Sequence, residues 1–370
     1  MINVGIVGLG FMAATHIKAY RQIPDARITA ICNPSGRHLD GDFSEISGNV
    51  GSKEPIKLEM REVKAYRDVN ALFHDKNIDM IDICTPTFSH VALCIGAIKS
   101  GKHVLCEKPL ALNYVDAKAM ADAADAAGVR HLTAFTYRFV PAMRYLHHLV
   151  GRGDLGKPYH YRSCRLQDWG TRNVGWRQQK KMAGTGEIGD MLSHRIDFAH
   201  HLIGPMKRLV ANLMTLTPVR GGAPNDTDDW VAILAEFQCG ASGVLESSKL
   251  ASGVNESWRS PDRVELNGSE ASFSFTTGCW NELQFGKVGG PGLKALPIPR
   301  EFHVWPGSPR DPGAGDPLVT FRYDQAVEFV NAIREQRPCA VTFHDGARAQ
   351  AVMDAAVHSA ETRQWVELPG

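Results

Sequence analysis

Along the first 135 residues, short β-branched runs alternate with longer stretches whose apolar positions recur at helical spacing. The runs at 3–7, 27–32, 80–84, 103–106 and 131–135 predict strands. Residues 90–100, closed by Gly101, and 114–127, closed by Gly128, predict helices, because glycine just past the last periodic position ends a helix. Strand–helix alternation of this kind implies right-handed crossovers and a parallel sheet. From 34 to 66 a polar, glycine-containing segment stands where the second helix would come, and it reads as an inserted loop. Beyond Phe135 the pattern changes to period-two alternation, as in Val231-Ala232-Ile233-Leu234-Ala235 and Ser272-Phe273-Ser274-Phe275, which predicts a mostly antiparallel sheet. Residues 286–317, rich in Gly and Pro, read as loop or extended chain, and 323–336 and 345–362 read as two closing helices.

At 370 residues the chain is long enough for two cores. Its 41 basic and 40 acidic residues nearly cancel, which argues against a nucleic-acid or anionic-membrane partner. No apolar run of about 18 residues predicts a membrane span. The first residues read as a strand rather than a signal peptide, and the eight cysteines are scattered without a C-x-x-C pair, so neither a disulfide framework nor a cysteine metal site is expected. These features together predict a cytoplasmic protein.

Three local patterns carry chemistry. Gly8-Leu9-Gly10-Phe11-Met12-Ala13 follows the first strand and opens a helix. The first glycine permits a tight turn, the second lets backbone approach a pyrophosphate, and a small third residue allows close helix–strand packing. The second strand runs out into Asn33-Pro34-Ser35-Gly36-Arg37. An acid at Asn33 would repel a 2′-phosphate; Asn33 does not, and Ser35 and Arg37 offer partners for one, so the loop reads as accepting NAD(P) with the balance toward NADP. Glu107-Lys108-Pro109 places two charges at the carboxyl end of an apolar strand, where ligands bind in doubly wound sheets. There Lys108 could stabilise a substrate alkoxide, although a surface loop with a routine ion pair would look the same.

In the second half, Gly184-Thr185-Gly186 precedes Asp190-Met191-Leu192-Ser193-His194-Arg195-Ile196-Asp197. In a regular helix Asp190, His194, Asp197 and His201 share one face, with Leu192, Ile196, Ala199 and Ile203 opposite. Asp190 would then orient His194 as a general base. A merely solvated face, or two ligands of a metal site lacking a convincing third, would show the same spacing.

In this order, Gly8-x-Gly10, Thr85-Pro86 with His90, Glu107-Lys108-Pro109, Ala134-Phe135 through Arg138-Phe139, Gly184-x-Gly186-x-x-x-Asp190-x-x-x-His194-x-x-Asp197, and Asp345-Gly346 through Gln364-x-Val366 resemble the Gfo/Idh/MocA oxidoreductases, the family of glucose–fructose oxidoreductase and inositol dehydrogenase. The resemblance implies an α/β fold. A Rossmann doubly wound parallel sheet (1–135) would bind NAD(P), and an α+β domain with a large, mostly antiparallel open sheet (136–370) would hold substrate and pack into a homodimer or homotetramer. It implies hydride transfer at a secondary alcohol of a sugar, inositol or related polyol, with Lys108, Asp190 and His194 catalytic and no metal. Thr85, Pro86, His90 and Glu107 would lie beside the cofactor with the glycine loop. Thr136, Tyr137, Asp168 and Trp176 would line the substrate pocket. Two alternative readings stay beside it: NAD-dependent glycoside cleavage, which some relatives perform, and a non-catalytic cofactor-sensing regulator, against which the intact Lys108, Asp190 and His194 argue.

Overall fold

The computed structural model describes residues 1–46, 56–254, 262–277, 279–311, 313 and 317–369. By internal contacts the chain forms two compact units: 1–111, 115–139 and 304–347 make the first, and 112–114, 140–303 and 348–370 the second.

The first unit begins with β1 (Ile2–Val7), α1 (Phe11–Tyr20), β2 (Ala26–Cys32), β3 (Lys64–Tyr66), α2 (Val69–Phe73), β4 (Met80–Ile83), α3 (His90–Lys99), β5 (His103–Cys106), α4 (Tyr114–Ala127) and β6 (His131–Thr133). Its six strands are all parallel, in the order β3-β2-β1-β4-β5-β6, the dinucleotide-binding arrangement. Val4, Ile6, Ile31, Ile81 and Val104 are fully buried, as a sheet covered on both faces requires.

The expected loop over 34–66 is corrected at its end. Lys64–Tyr66 is a strand added to the sheet edge, and its exposed, three-residue span gave no periodicity to read. Residues 47–55 of that segment lie outside the described residues.

The second unit contains α5 (Pro141–Gly151), β7 (Pro158–Leu166), α6 (Lys180–Ala183), α7 (Ser193–Leu202), β8 (Met206–Met214), the short strands β9 (Val219–Arg220) and β10 (Ala223–Pro224), β11 (Trp230–Phe237), β12 (Ser242–Ser248), β13 (Asp262–Gly268), β14 (Ala271–Thr276), β15 (Glu282–Lys287) and β16 (Lys294–Pro297). After α8 (Pro317–Arg334), which belongs to the first unit, α9 (Phe343–Thr362) runs from the first unit into the second and β17 (Val366–Glu367) closes the chain. The nine-stranded sheet has the order β16-β15-β14-β13-β7-β12-β11-β8-β17. Among the described residues β7 with β12 is its parallel pair, and the other pairs are antiparallel. Alternation sets its two faces: Val231, Ile233, Ala235 and Phe237 of β11 are buried, while Leu234 between them is half exposed.

The extended chain expected within 286–317 includes β16, which pairs with β15 there. The helix expected over 323–336 is α8, which begins six residues earlier and stops at Arg334. Among the described residues no helix is long and apolar enough to cross a membrane.

Candidate active site

The glycine loop occupies the carboxyl end of β1. Gly8 has φ +85°, and a Cβ there would come within 2.5 Å of the Thr85 side chain and 3.0 Å of the Cys84 carbonyl. Only glycine fits that backbone. Gly10, in extended backbone, caps α1, and a Cβ there would meet nothing within 4 Å. Open space therefore lies in front of a helix N-terminus, the setting that accepts a pyrophosphate. Phe11 and Met12 are half-buried in the first turn, and Ala13 is wholly buried, as close packing of α1 on the sheet demands.

Asn33 organises its own loop. Its amide donates to the Arg37 carbonyl at 2.9 Å, and its oxygen accepts from the Ser35 hydroxyl (2.9 Å) and amide (3.2 Å). Ser35 and Arg37 are exposed. The sequence reading missed Arg67, whose guanidinium lies over Gly36 so closely that a Cβ there would meet it at 2.5 Å.

The loops after β4 and β5 are tied together by His90. This buried ring sets one nitrogen 2.9 Å from the Thr85 carbonyl and the other 3.0 Å from the Pro109 carbonyl. Burial lowers its pKa, against the pull of the two carbonyls it faces. Ser89 donates to the Thr85 hydroxyl at 2.8 Å, and Pro86 starts the turn between them. Glu107 is buried and accepts from the Lys108 amide at 3.2 Å, while Lys108 itself is half-buried. The Lys108–Pro109 bond is cis. Gly8, Gly10, Thr85, Glu107 and Lys108 thus share the carboxyl edge of one parallel sheet. Thr136 and Tyr137 also belong to the first unit; Thr136 is buried, and the Tyr137 ring lies 5.4 Å from that of Phe321.

In the second unit, the helix carrying Asp190 and His194 departs from a regular α-helix at its start. Ile188–Leu192 forms a wide π turn, and regular α-helix begins only at Ser193. Periodicity cannot reveal such a backbone irregularity. The solvated face expected opposite an apolar one is not found in α7: His194, Arg195, Ile196, Asp197 and Ala199 are all buried. Arg195 pairs with Asp262, as does Arg165. Burial opposes the charge on Asp262, but the two guanidiniums outweigh it and keep the carboxyl below its usual range.

The Gly184–Gly186 turn is fixed from another strand connection. Asp228 accepts from the amides of Gly186 (2.5 Å) and Ile188 (2.8 Å), and a Cβ on Gly186 would sit 2.1 Å from the Asp228 carbonyl oxygen. Beside it Glu187, fully buried, pairs with Lys249 at 3.2 Å and accepts from the Ser247 hydroxyl. Burial dominates there and pushes Glu187 up to about 7 despite Lys249. Lys249 also stands 4.6 Å from the Trp169 ring. Arg177 stacks over Trp176 at 4.5 Å and approaches Asp190 at 3.8 Å, linking two of the expected site residues. Asp168 accepts from the Gly253 amide at 2.7 Å. Arg177, Glu187 and Lys249 escaped the sequence reading because a single charge carries no sign of the partner it meets in the fold.

A model described as an oxidoreductase family with an NAD-binding Rossmann fold matches residues 2–135, and one described as the GFO/IDH/MocA C-terminal domain matches 143–274. The chain belongs to the Gfo/Idh/MocA family. Among its relatives, levoglucosan dehydrogenase of Pseudarthrobacter phenanthrenivorans is 30% identical over all of this chain and 98% of its own length. Myo-inositol 2-dehydrogenase of Thermotoga maritima is 30% identical over 73% of each chain. A solved structure of levoglucosan dehydrogenase in complex with NADH and levoglucosan superposes with a TM-score of 0.86 and 29% identity, covering 100% of both chains. The Gfo/Idh/MocA assignment makes this chain an oxidoreductase with an NAD-binding Rossmann sheet.

Proposed function

We propose that this protein passes a hydride between a nicotinamide and a secondary alcohol or ketone carbon of a sugar, inositol or related polyol. The observation that carries the reading is the sheet edge described above. Lys108 stands beyond β5, at the same edge as the open glycine cradle of β1, and a relative matching the whole chain is a levoglucosan dehydrogenase. The cofactor-binding role is assigned to 1–135 and the substrate role to 136–370.

A nicotinamide held at this sheet edge would accept the hydride from the alcohol, or return it to the ketone. His194 takes the proton from the substrate hydroxyl, with Asp190, four residues before it, orienting the ring. Lys108 donates to the same oxygen as negative charge gathers there. The glycine loop receives the pyrophosphate, with Phe11, Met12 and Ala13 in the first turn behind it. Thr85 and Pro86 border the cofactor, and His90 acts by holding their loop. Thr136, Tyr137, Asp168 and Trp176 contact the polyol.

Ser35 and Arg37, joined by Arg67, favour a 2′-phosphate and so NADP alongside NAD. The eight thiols, all free, suit the cytoplasm. The half-exposed row through Trp230 and Leu234 on one face of the large sheet suits a homodimer or homotetramer.

Levoglucosan, myo-inositol and glucose offered with NAD+ or NADP+ should give reduced nicotinamide with at least one pair. His194→Ala should slow that reaction by about 10²–10⁴-fold while NADH still binds. Unchanged turnover in the variant would end the assignment of His194.

A further inference from the structure

Beneath the glycine loop the structure holds a buried chain of charged groups that the reaction described above does not use. His16 on α1 is 3% exposed, Asp82 on β4 is fully buried, and Glu107 after β5 is 6% exposed. His16 Nδ1 lies 2.8 Å from an Asp82 oxygen, and His16 Nε2 lies 3.4 Å from a Glu107 oxygen. The second Glu107 oxygen accepts from the Lys108 amide at 3.2 Å. A neutral imidazole has one N–H and can serve only one of two carboxylates; the imidazolium serves both. Two buried carboxylates with no cation between them would repel, and one would take up a proton.

We propose that His16 is a positioning residue: charged between Asp82 and Glu107, it keeps Glu107 ionised and in place, and Glu107 in turn fixes the backbone of Lys108. The inference rests on the reading of Lys108 as the group that stabilises the substrate oxygen. It links the helix that receives the pyrophosphate to the loop that carries the ammonium group, through three side chains in one unit.

The electrostatics agree with the geometry. Burial works against charge on His16, yet Asp82, with the Cys84 thiol beside it, outweighs burial and holds the pKa well above the ordinary histidine value. Burial alone would raise Glu107; contact with His16 and then Lys108 reverses this and holds it below its usual range. The groups facing Glu107 are His16 from α1, Cys84 just after β4, His90 from α3, and Cys106 and Lys108 on either side of it in the chain, with Asp82 on the far side of His16. Tyr20 faces Asp82 from the next turn of α1. The donor atoms of His16, Asp82 and Cys84 lie within 4.8 Å of one another, so a metal ion is the rival occupant. The direct 2.8 Å contact of imidazole with carboxylate favours the ion pair.

Two variants give opposite signatures. In His16→Gln, Glu107 loses its cation and its pKa rises, so activity is lost as pH falls through the new value and recovers as pH rises. In Asp82→Asn, His16 loses its main partner and its pKa falls, so the deficit grows as pH rises. Each deficit should reach about 10- to 100-fold in kcat, the cost of a small misplacement of a reacting group, with NADH affinity within about threefold of wild type. Combining His16→Gln with Glu107→Gln should leave a deficit that no longer varies with pH.

Turnover is followed on whichever of the three polyols above runs fastest. Nitrogen NMR of the full chain without cofactor gives an independent reading. It should show His16 with both ring protons well above the usual histidine value of about 6.5. A neutral His16 in that spectrum, pH-independent deficits in both single variants, or a stoichiometric metal lost on His16→Gln would each overturn the proposal. Full activity in Lys108→Ala would instead remove the reading of Lys108 on which it stands. Loss in Lys108→Ala beside wild-type behaviour in His16→Gln would sink the positioning role alone.

Discussion

Lys108→Ala should lower kcat/KM by about 10²–10³, the loss seen when one donor to a developing oxyanion is removed, while NADH binds within about threefold of wild type. The lysine is only half-buried and follows a strand whose own residues are buried, so truncation leaves the sheet intact. The loss should fall on the chemical step rather than on folding or cofactor affinity. Lys108→Arg should recover little, because a planar guanidinium cannot place a point charge where the ammonium stood. Steady-state rates with a cofactor titration beside them separate the two effects. An Ala variant that turns over normally, or one that fails only because NADH no longer binds, would contradict this role.

The second large effect is expected at the glycine loop, where two neighbouring substitutions should behave differently. Gly8→Ala forces φ +85° on a residue with a Cβ, at a cost of about 1–2 kcal/mol, and drives that Cβ against Thr85 and the Cys84 carbonyl. It should lower both the melting temperature and the affinity for NADH, the latter by at least about tenfold. Gly10→Ala meets no neighbour and stands in extended backbone, so the fold should keep its stability. The added methyl instead occupies the space before the α1 N-terminus, and NADH should weaken by about 10- to 100-fold. Thermal melts and fluorescence titrations of both variants test the contrast. Equal NADH affinity in Gly10→Ala and wild type would show that the pyrophosphate does not use this cradle.

Much of this architecture was legible in the chain. The parallel strands announced themselves because a sheet covered on both faces is written in unbroken apolar runs, and glycine stops marked the helices between them. Strand β3 was not legible: Lys64 and Ala65 are exposed at a sheet edge, where burial imposes no pattern. Alternation revealed the second sheet but not the parallel pairing of β7 with β12, which depends on contacts far apart in sequence. The glycine loop and Glu107-Lys108 were found by position relative to predicted strands. The neighbourhood of Asp190 and His194 was found by spacing, which could not show the π turn that precedes Ser193. The buried charges were hidden for a different reason. His16, Glu187 and Lys249 occur in the sequence as ordinary polar residues, and only three-dimensional pairing shows that each carries its charge, or its proton, away from water.

In the proposed reaction Lys108 and His194 act in one chemical step. The most direct test is kcat/KM for Lys108→Ala, His194→Ala and the double variant. Groups that act together in one step fail together, so the double variant should be slower than the worse single variant by no more than about threefold. Losses that multiply, each substitution costing its full factor in the presence of the other, would show that the two residues work independently and would contradict the account.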